Sequence, residues 1–240
     1  MIIDTHSHLN FKAYDNDREE VIKRAQKADI FCIDVGVDFE TSKCAADSAK
    51  KNKNIYSAIG VHPSEIKENF DKSQYLELAK NKKVVAICEI GLDYFRNKDK
   101  ENQKRIFIKQ LNLAKELNLP IIVHCRDAHV DLINILKNYN LRGVVHCFTG
   151  TWGQAQKYIN LGFYIGINGI IFKQNLDKVI QNCPLDKILA ETDCPFLGKE
   201  KRNEPVFIKE IINKIAKVKK ISYQEVAEKT CQNARILFKI

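Results

Sequence analysis

The chain has 240 residues, of which 45% are hydrophobic and 29% charged, and these proportions argue against a disordered chain. The formal net charge of +9 comes mostly from lysines spread along the sequence, so it is weak support for a polyanionic partner. No apolar run approaches the roughly 20 residues of a membrane span, and the first residues do not resemble a secretory signal. We therefore expect one cytoplasmic domain that extends over residues 1–240.

Short β-rich runs alternate with amphipathic runs along the whole sequence. In chain order, the predicted elements are strand Ile2–Thr5, helix Arg18–Ala28, strand Phe31–Val37, helix Thr41–Lys51, strand Ile55–Val61, helix Gln74–Asn81, strand Val84–Gly91, helix Glu101–Leu117, strand Ile121–His124, helix His129–Asn138, strand Gly143–Phe148, helix Gly153–Leu161, strand Phe163–Ile167, strand Lys187–Thr192, and helices Val206–Val218 and Tyr223–Phe238. Ser222 is the predicted N-cap of the last helix, where Glu225 would complete a capping box.

The alternation of strands and helices predicts an α/β protein with a parallel sheet. Eight strands in a chain of this length fit a closed (β/α)8 TIM barrel. The rival fold is an open doubly wound sheet, which requires a glycine-rich phosphate loop after an early strand. The sequence contains neither GxGxxG nor GxxxxGK followed by Ser or Thr, so the barrel is preferred.

Five of the 6 histidines and two acids lie at the ends of predicted strands. His6 and His8 are two residues apart in a strand, so their side chains share a face. In a barrel the carboxyl ends of the strands meet at one mouth, where these side chains would gather. The residues concerned are His6, His8, His62, Glu89, His124, His146 and Asp193. Imidazoles and carboxylates brought together in this way predict a metal centre.

Four of these imidazoles and both carboxylates exceed what one tetrahedral cation needs, and they are enough for two cations. Glu89 is the expected bridge, because its strand lies between the first strand and the strands that carry His124 and His146. Mixed imidazole and carboxylate donors suit Zn²⁺ or Mn²⁺, and Mg²⁺ less well. The predicted cofactor is a pair of divalent cations about 3.5–4 Å apart.

These residues, in this order, resemble the TatD family of metal-dependent deoxyribonucleases within the amidohydrolase-like barrels. The resemblance covers essentially the whole chain, and it depends on the ensemble of motifs because no single motif is specific. The matching segments are Asp4–Leu9, Gly60–Pro63, Glu89–Tyr94, His124–Ala128, His146–Gly150, Glu191–Pro195 and Arg202–Pro205. Thr149 stands where serine is frequent, and His129 belongs to no family motif and is expected on a helix face.

The resemblance implies hydrolysis of nucleic-acid phosphodiester bonds, commonly by a 3′-5′ exodeoxyribonuclease on single-stranded DNA, with RNA as an alternative substrate. It implies that His62 and Arg126 face the substrate phosphate. The metal ligands that it implies are His6, His8, Glu89, His124, His146 and Asp193. We expect no membrane partner and a monomeric protein.

In the expected mechanism, two cations bridged by Glu89 activate a water molecule. Asp193 would orient that water and accept its proton as a general base. His62 and the planar guanidinium of Arg126 would offset the charge that develops on the phosphate oxygens. The proposed catalytic residues are thus Glu89 and Asp193, and the proposed substrate-binding residues are His62 and Arg126.

Several assignments leave alternatives open. Arg126 could form a salt bridge to Asp127 or Asp131, and His62 could be structural. Asp4 and Glu191 could support metal-bound histidines. Other polar residues could contact substrate or simply order a loop, namely Asp93, Tyr94, Arg202 and Asn203.

The 8 cysteines include no CxxC pair, so they are predicted to be reduced thiols rather than a disulfide framework. Cys32, Cys88, Cys125 and Cys147 lie in apolar runs and are expected to be buried. Cys125, Cys147 and Cys194 each follow a proposed ligand and are interpreted as packing residues, the first two turned outward against the helices.

Two other functions compete with nuclease activity. The same metals could serve a small-molecule hydrolase that acts on an ester, an amide or a lactone. Alternatively, the chain could bind metal or nucleic acid without catalysis, although the complete ligand set argues against this. An open cleft with basic walls favours a polymeric substrate, whereas a narrow, lidded pocket favours a metabolite.

Overall fold

A computed structural model of the chain contains one sheet of eight parallel strands, in which each strand is hydrogen-bonded to the next along the sequence. The structure describes residues 1–66, 70–198 and 202–240. The strands are β1 (Ile2–Ser7), β2 (Ile30–Val35), β3 (Ile55–Ile59), β4 (Val84–Asp93), β5 (Ile121–Arg126), β6 (Gly143–Val145), β7 (Tyr164–Ile167) and β8 (Ile188–Ala190). The helices are α1 (Arg18–Lys27), α2 (Phe39–Lys51), α3 (Lys72–Leu78), α4 (Lys100–Leu117), α5 (His129–Leu136), α6 (Trp152–Asn160), α7 (Asp177–Asn182), α8 (Ile208–Lys219) and α9 (Tyr223–Phe238).

The sheet closes on itself where the chain leaves β8. Ser7 forms a parallel bridge with Cys194. The N–H of His8 donates to the carbonyl of Cys194 (2.8 Å), and the N–H of Asp193 donates to the carbonyl of His6 (2.9 Å). The predicted (β/α)8 barrel is therefore confirmed as a nearly closed barrel. Its continuous sheet supports the proposal that residues 1–240 form one domain.

Apolar side chains fill two layers, because parallel strands covered by helices are buried on both faces. The outer layer packs the strands against the surrounding helices, with Ile30 and Ile55 on the sheet side and Phe107 on the helix side. The inner layer fills the barrel and continues into the last turns of α9. Its members include Ile3, Ile33, Val85, Ile122, Val144, Leu189, Ala234, Leu237 and Phe238. Helix α9 thus covers the amino-terminal end of the barrel, and the opposite end is left for the site.

Local sequence signals account for most helix starts. Asp38 caps α2 and forms a capping box with Thr41, and Thr151 does the same for α6 with Gln154. Ser222 caps α9, as predicted, by accepting a hydrogen bond from the N–H of Glu225. In the described part of the chain, no helix is both long and apolar enough to cross a bilayer.

The structure departs from the predicted elements at a few places. The predicted strand Gly143–Phe148 ends at Val145, because the backbone turns into the left-handed region at Cys147 (φ 44°). Strand β4 runs two residues beyond the predicted Gly91 and so includes Asp93. The sequence pattern missed α7, whose six residues are too few to show a helical period.

Candidate metal centre

The carboxyl ends of the strands surround a cleft of about 900 Å³ that is partly open to solvent. Of the residues predicted to act at the site, those that border this cleft are His8, His62, Glu89, His124, Arg126, His146 and Asp193. His6 lies directly beneath, with its ring stacked on that of His146 at 3.4 Å between centroids. The structure therefore brings together all eight predicted site residues.

His6 and His8, at the end of β1, direct their Nε2 atoms toward each other and toward Asp193. The carbonyl of Val35 only accepts, so Nδ1 of His8, 2.9 Å away, carries the ring proton and Nε2 is unprotonated in the neutral ring. That Nε2 lies 3.2 Å from Nε2 of His6 and 3.4 Å from Oδ1 of Asp193. Donors that share a cation at about 2.1 Å are themselves about 3.0–3.4 Å apart. The third pair, Nε2 of His6 and Oδ1 of Asp193, is wider at 3.9 Å. Two of the three donor pairs thus have the spacing of a metal site, and the three residues form a candidate group of ligands.

The two oxygens of the Glu89 carboxylate lie close to different histidines. Oε2 lies 3.6 Å from Nε2 of His6 and 3.9 Å from Nε2 of His8. Oε1 lies 3.0 Å from Nδ1 of His124 and 3.8 Å from Nε2 of His146. A carboxylate in this position can hold one cation with each oxygen.

Burial and charge at the centre also fit a cation. Burial alone would raise the pKa of Glu89, but the imidazoles of His62 and His124 hold it well below its usual value. Burial likewise opposes ionisation of Asp193, whose pKa is nevertheless lowered by His146 and His8. Within the described ranges, histidines are the only ion-pair partners of both carboxylates. Buried carboxylates without a lysine or arginine partner suit divalent cations as counter-charges.

His62 differs from the other histidines in the position of its proton. The backbone N–H of Ser64 donates to Nδ1 of His62 (3.0 Å), so the proton of the neutral ring is on Nε2. Burial lowers the pKa of His62 to about 3, which keeps the ring neutral. Nε2 lies 3.7 Å from Oε1 of Glu89. His62 therefore presents an N–H donor to the cleft, and not a lone pair.

Asp93 belongs to the site, although the sequence left its role open. Its side chain is fully buried, and Oδ2 lies 3.1 Å from Nε2 of His124. Gly91 makes this contact possible, because a Cβ there (φ +142°) would lie 2.0 Å from the carbonyl oxygen of His124. The sequence did contain a signal for Asp93. Side chains alternate along a strand, and Asp93 follows Glu89 by four residues in β4, so both point to the same face of the sheet.

Two buried acids next to the donors have supporting positions. Oε1 of Glu191 lies 2.8 Å from Nδ1 of His146, although the ring N–H is not aligned for a regular hydrogen bond, and it accepts from the N–H of Cys147 (2.7 Å). Asp4 accepts from the N–H (2.8 Å) and hydroxyl (2.6 Å) of Thr192. Glu191 thus contacts a candidate ligand directly, whereas Asp4 fixes the backbone that leads to Asp193.

Arg126 is free of the salt bridges that were considered for it. Its guanidinium lies 3.9 Å from the ring centroid of Phe95, and no ion pair to it is found among the described residues. Asp131 instead binds Lys104 (3.0 Å) and accepts from the hydroxyl of Tyr94 (2.7 Å). Arg126 is therefore positioned at the cleft by an aromatic ring and has donors available for a ligand.

Arg202 and Asn203 hold described parts of the chain in place near the end of β8. Arg202 binds the carboxylate of Asp17 (2.8 and 2.5 Å) and lies over the ring of Tyr14. The buried amide of Asn203 donates to the carbonyls of Thr192 (3.0 Å) and Phe196 (2.7 Å). Neither side chain borders the cleft, so the structural alternative holds in this structure.

Two cysteines are less buried than the sequence predicted. All eight cysteines are free thiols, and Cys32 and Cys88 are buried as expected. Cys125 and Cys147, however, are only half-buried and border the cleft. Cys147 follows the end of β6 with a positive φ, so the alternation of a strand no longer sets its direction. Cys194 is buried, as its packing role predicts.

His129 also borders the cleft, which its expected place on a helix face did not indicate. It is the first residue of α5, and its Nδ1 lies 3.2 Å from Sγ of Cys125 and 2.9 Å from the hydroxyl of Tyr158. Cys125 is thus turned toward the helices, as alternation predicts, and still reaches the edge of the cleft. Only the packing of α5 against α6 reveals this polar cluster.

Comparison with known proteins agrees with this fold. Residues 3–239 match the family described as TatD related DNase. The chain is 41% identical to the uncharacterized metal-dependent hydrolase YabD of Bacillus subtilis, with both chains covered completely. It is 35% identical to the 3′-5′ ssDNA/RNA exonuclease TatD of Erwinia tasmaniensis, covering 97% of this chain and 98% of the relative. The crystal structure of YJJV, a TatD homologue from Escherichia coli K12, superimposes with a TM-score of 0.93 at 30% identity, covering 100% of this chain and 98% of that one.

The barrel and the donors gathered at its mouth define a metal-dependent hydrolase. The chain belongs to the TatD family, which confirms the resemblance seen in its motifs.

Proposed function

We propose that this hydrolase is a nuclease that cuts phosphodiester bonds in single-stranded nucleic acid, as a 3′-5′ exodeoxyribonuclease. The observation that carries the proposal is the position of Glu89, whose two oxygens face separate groups of imidazoles while Arg126 and His62 present donors to the same cleft. The name of the Erwinia tasmaniensis relative supports the same chemistry. The cleft is partly open to solvent and carries Arg96 and Arg126 on its lining, which is compatible with a polyanionic strand.

The donor set fits two divalent cations, and we propose Zn²⁺, Mn²⁺ or Mg²⁺. His6, His8 and Asp193 would hold one cation, Glu89 would bridge, and His124 and His146 would complete the second. Bound there, such cations activate water and stabilise charge on phosphate oxygens. Asp193 is expected to accept the proton of the attacking water, because its neighbouring imidazoles keep it ionised.

Two side chains would recognise the substrate phosphate. Arg126 offers a planar fork that matches a pair of phosphate oxygens. His62 donates through Nε2–H and stays neutral over the whole working pH range, since its pKa is about 3. Both donors are fixed before substrate arrives, Arg126 by the ring of Phe95 and His62 by Ser64. Such preorganised donors stabilise negative charge in the transition state.

We also propose that the protein is a monomer and that it works in the cytoplasm, where the eight free thiols would persist.

Protein loaded in turn with Mg²⁺, Mn²⁺ and Zn²⁺ should be incubated with 5′-labelled single-stranded DNA, the matching RNA, a duplex, and a panel of esters, amides and lactones. We expect stepwise shortening of the single strand from its 3′ end, and a loss of rate of at least about a hundred-fold for Glu89→Gln. Glu40→Gln, at an exposed glutamate of α2, is the matched control. No shortening with any of the three metals would overturn the proposal, and faster turnover of an ester, amide or lactone would favour the small-molecule alternative.

The role of Arg126 has its own control within the chain. Arg126→Gln should lower kcat/KM on single-stranded DNA by at least about ten-fold. Arg235→Gln makes the same change at an exposed arginine of α9, at the opposite end of the barrel, and it should leave kcat/KM within about two-fold. Equal losses in the two variants would show that the effect comes from the general basic charge and not from this position.

A further inference from the structure

The two sides of the cleft differ in chemistry. On the side formed by β3, β4 and β5, the lining includes His62, Arg96 and Arg126, together with the acids Glu65 and Asp127. On the side formed by β7, β8 and β1, the rim above the candidate ligands His8 and Asp193 is mostly apolar. It consists of Phe11, Ile170, Phe196 and Leu197, with Gln174 as a polar member. Because strands four positions apart lie opposite each other in an eight-stranded barrel, these walls face each other across the donor cluster.

Phe196 is the most exposed part of the apolar wall. Its side chain is 51% exposed, although it follows Asp193 by only three residues. The ring stands nearly perpendicular to those of Phe11 (79°) and His8 (73°), with centroids 6.0 and 5.9 Å away. His8 and Phe11 are themselves stacked at 4.4 Å. This edge-to-face packing fixes the orientation of Phe196 and leaves much of its surface open beside a candidate metal ligand.

The backbone of Phe196 is held by hydrogen bonds on both sides of the residue. Asn203 donates to the carbonyl of Phe196 (2.7 Å), and the N–H of Phe196 donates to the carbonyl of Asp193 (2.9 Å). About half of this apolar ring is left exposed to solvent, although its orientation is fixed at the edge of a polar centre. A planar apolar ring opposite a phosphate-binding wall is complementary to a nucleotide, which is apolar and planar at its base and anionic at its phosphate.

From this arrangement we propose that Phe196 is the stacking platform for the base of the terminal nucleotide, with the scissile phosphate directed toward Arg126. This inference rests on the proposed nuclease function and specifies its substrate as a strand whose terminal base is unpaired. Stacking uses the face that every base offers, so recognition is independent of sequence. The same ring would discriminate against a base that is paired and stacked within a duplex.

A kinetic cycle tests the contact from both sides. One single-stranded oligonucleotide ends in a normal nucleotide, and a second ends in a tetrahydrofuran residue that lacks the base. For the metal-loaded wild-type protein, we expect removal of the base to lower kcat/KM by about ten-fold or more. Phe196→Leu should lower kcat/KM on the normal strand by a similar factor and leave the baseless strand unaffected. Phe196→Tyr, which keeps an aromatic ring, should restore the higher kcat/KM on the normal strand relative to the baseless strand.

Phe172→Leu is the matched control, because it makes the same change at a phenylalanine that is 37% exposed and does not border the cleft. We expect it to change neither strand's kcat/KM by more than about two-fold. Equal losses on both strands in Phe196→Leu would overturn the platform, since the ring would then act independently of a base. Melting temperatures of all variants, expected to agree within a few degrees, show whether folding is intact.

A binding measurement separates this inference from the catalytic proposal. A strand with 2-aminopurine at its end, protected by phosphorothioate linkages, is titrated with metal-loaded protein. Stacking on Phe196 should quench the emission, and Phe196→Leu should lose most of the quenching although the strand still binds. The same quenching in Phe196→Leu overturns the platform alone, whereas absence of both binding and cleavage by the wild-type protein overturns the nuclease proposal and the platform together.

Discussion

Whether a histidine of this cleft binds a cation or contacts substrate depends on which ring nitrogen carries the proton. In His8 the Nδ1–H donates a hydrogen bond to the carbonyl of Val35, which leaves the lone pair of Nε2 free to bind a metal. In His62 the N–H of Ser64 occupies Nδ1, which leaves a proton on Nε2. Both rings direct Nε2 toward Glu89, but His8 presents a lone pair there and His62 presents an N–H group. This difference can be measured.

We expect His62→Ala to retain the full metal content and to lose kcat by about 10²–10³-fold, because it removes a donor to phosphate and no ligand. His8→Ala should instead lose part of the bound metal, because its Nε2 is a candidate ligand. Metal content measured by inductively coupled plasma spectrometry, alongside rates on single-stranded DNA, distinguishes the two. A fall in the metal content of His62→Ala equal to that of His8→Ala would contradict the tautomer assigned here.

At the scale of secondary-structure elements, buried acids connect the strands to the loops of the mouth. Asp34, near the end of β2, accepts from both the backbone and the side-chain N–H groups of Asn10 (3.1 and 2.9 Å), which fixes the loop after β1. Its second oxygen has no partner among the described residues. Burial raises the pKa of Asp34 to about 7. Folding therefore favours the protonated form of Asp34, because the cost of burying its charge exceeds what the hydrogen bonds from Asn10 return to the ionised form.

The stability of the chain should accordingly depend on pH through Asp34. Between about pH 4 and pH 7 the folded chain retains a proton on Asp34 that the unfolded chain has released, so stability falls as pH rises, by about 1.4 kcal/mol per unit. Asp34→Asn removes this dependence and still accepts from Asn10. Relative to wild type, its free energy of unfolding should rise by up to about 3 kcal/mol between pH 5 and pH 7.

This change is measured by urea unfolding at both pH values, in excess chelator so that metal binding adds no pH dependence of its own. Asp47→Asn, at a half-exposed acid of α2, is the control and should show the same pH dependence as wild type. A constant difference between Asp34→Asn and wild type would mean that Asp34 is ionised in the folded chain throughout this range.

At the scale of the whole molecule, the candidate ligands come from strands on different sides of the barrel. β1 carries His6 and is followed directly by His8, β4 carries Glu89, β5 carries His124, and Asp193 follows β8. Cations held by these residues would link β1 to β4, two strands that share no backbone hydrogen bonds. They would also compensate the buried carboxylates, so the metal should stabilise the entire fold.

We expect removal of the metal with a chelator to lower the melting temperature by about 5–10 °C, the shift produced by a ligand present at about a hundred times its Kd in a chain of this size. Differential scanning calorimetry before and after chelation, with metal returned afterwards, measures the shift. Glu89→Gln should show a smaller shift, and Glu40→Gln the full one. An unchanged melting temperature in wild type would mean that the cluster binds no cation under these conditions.

The sequence by itself determined the barrel and the main donor positions. Apolar periodicity and strand-end placement are local properties, so eight strands and the side chains at their ends were recognisable without any tertiary contact. The alternation of side chains at the end of the first strand was enough to place His6 and His8 on one face. The family motifs agreed with these positions, and the match to residues 3–239 confirmed the family.

Only the tertiary structure decided how these groups are oriented. The ring proton of His62, the contact of Asp93 with His124 and the two faces of Glu89 depend on neighbours from other strands, whose register no local pattern encodes. The half-buried position of Cys147 follows from a backbone turn after β6. Strand alternation predicts which face a residue takes, but contacts across a closed barrel arise from strand stagger and helix packing, which exist only once the chain has folded.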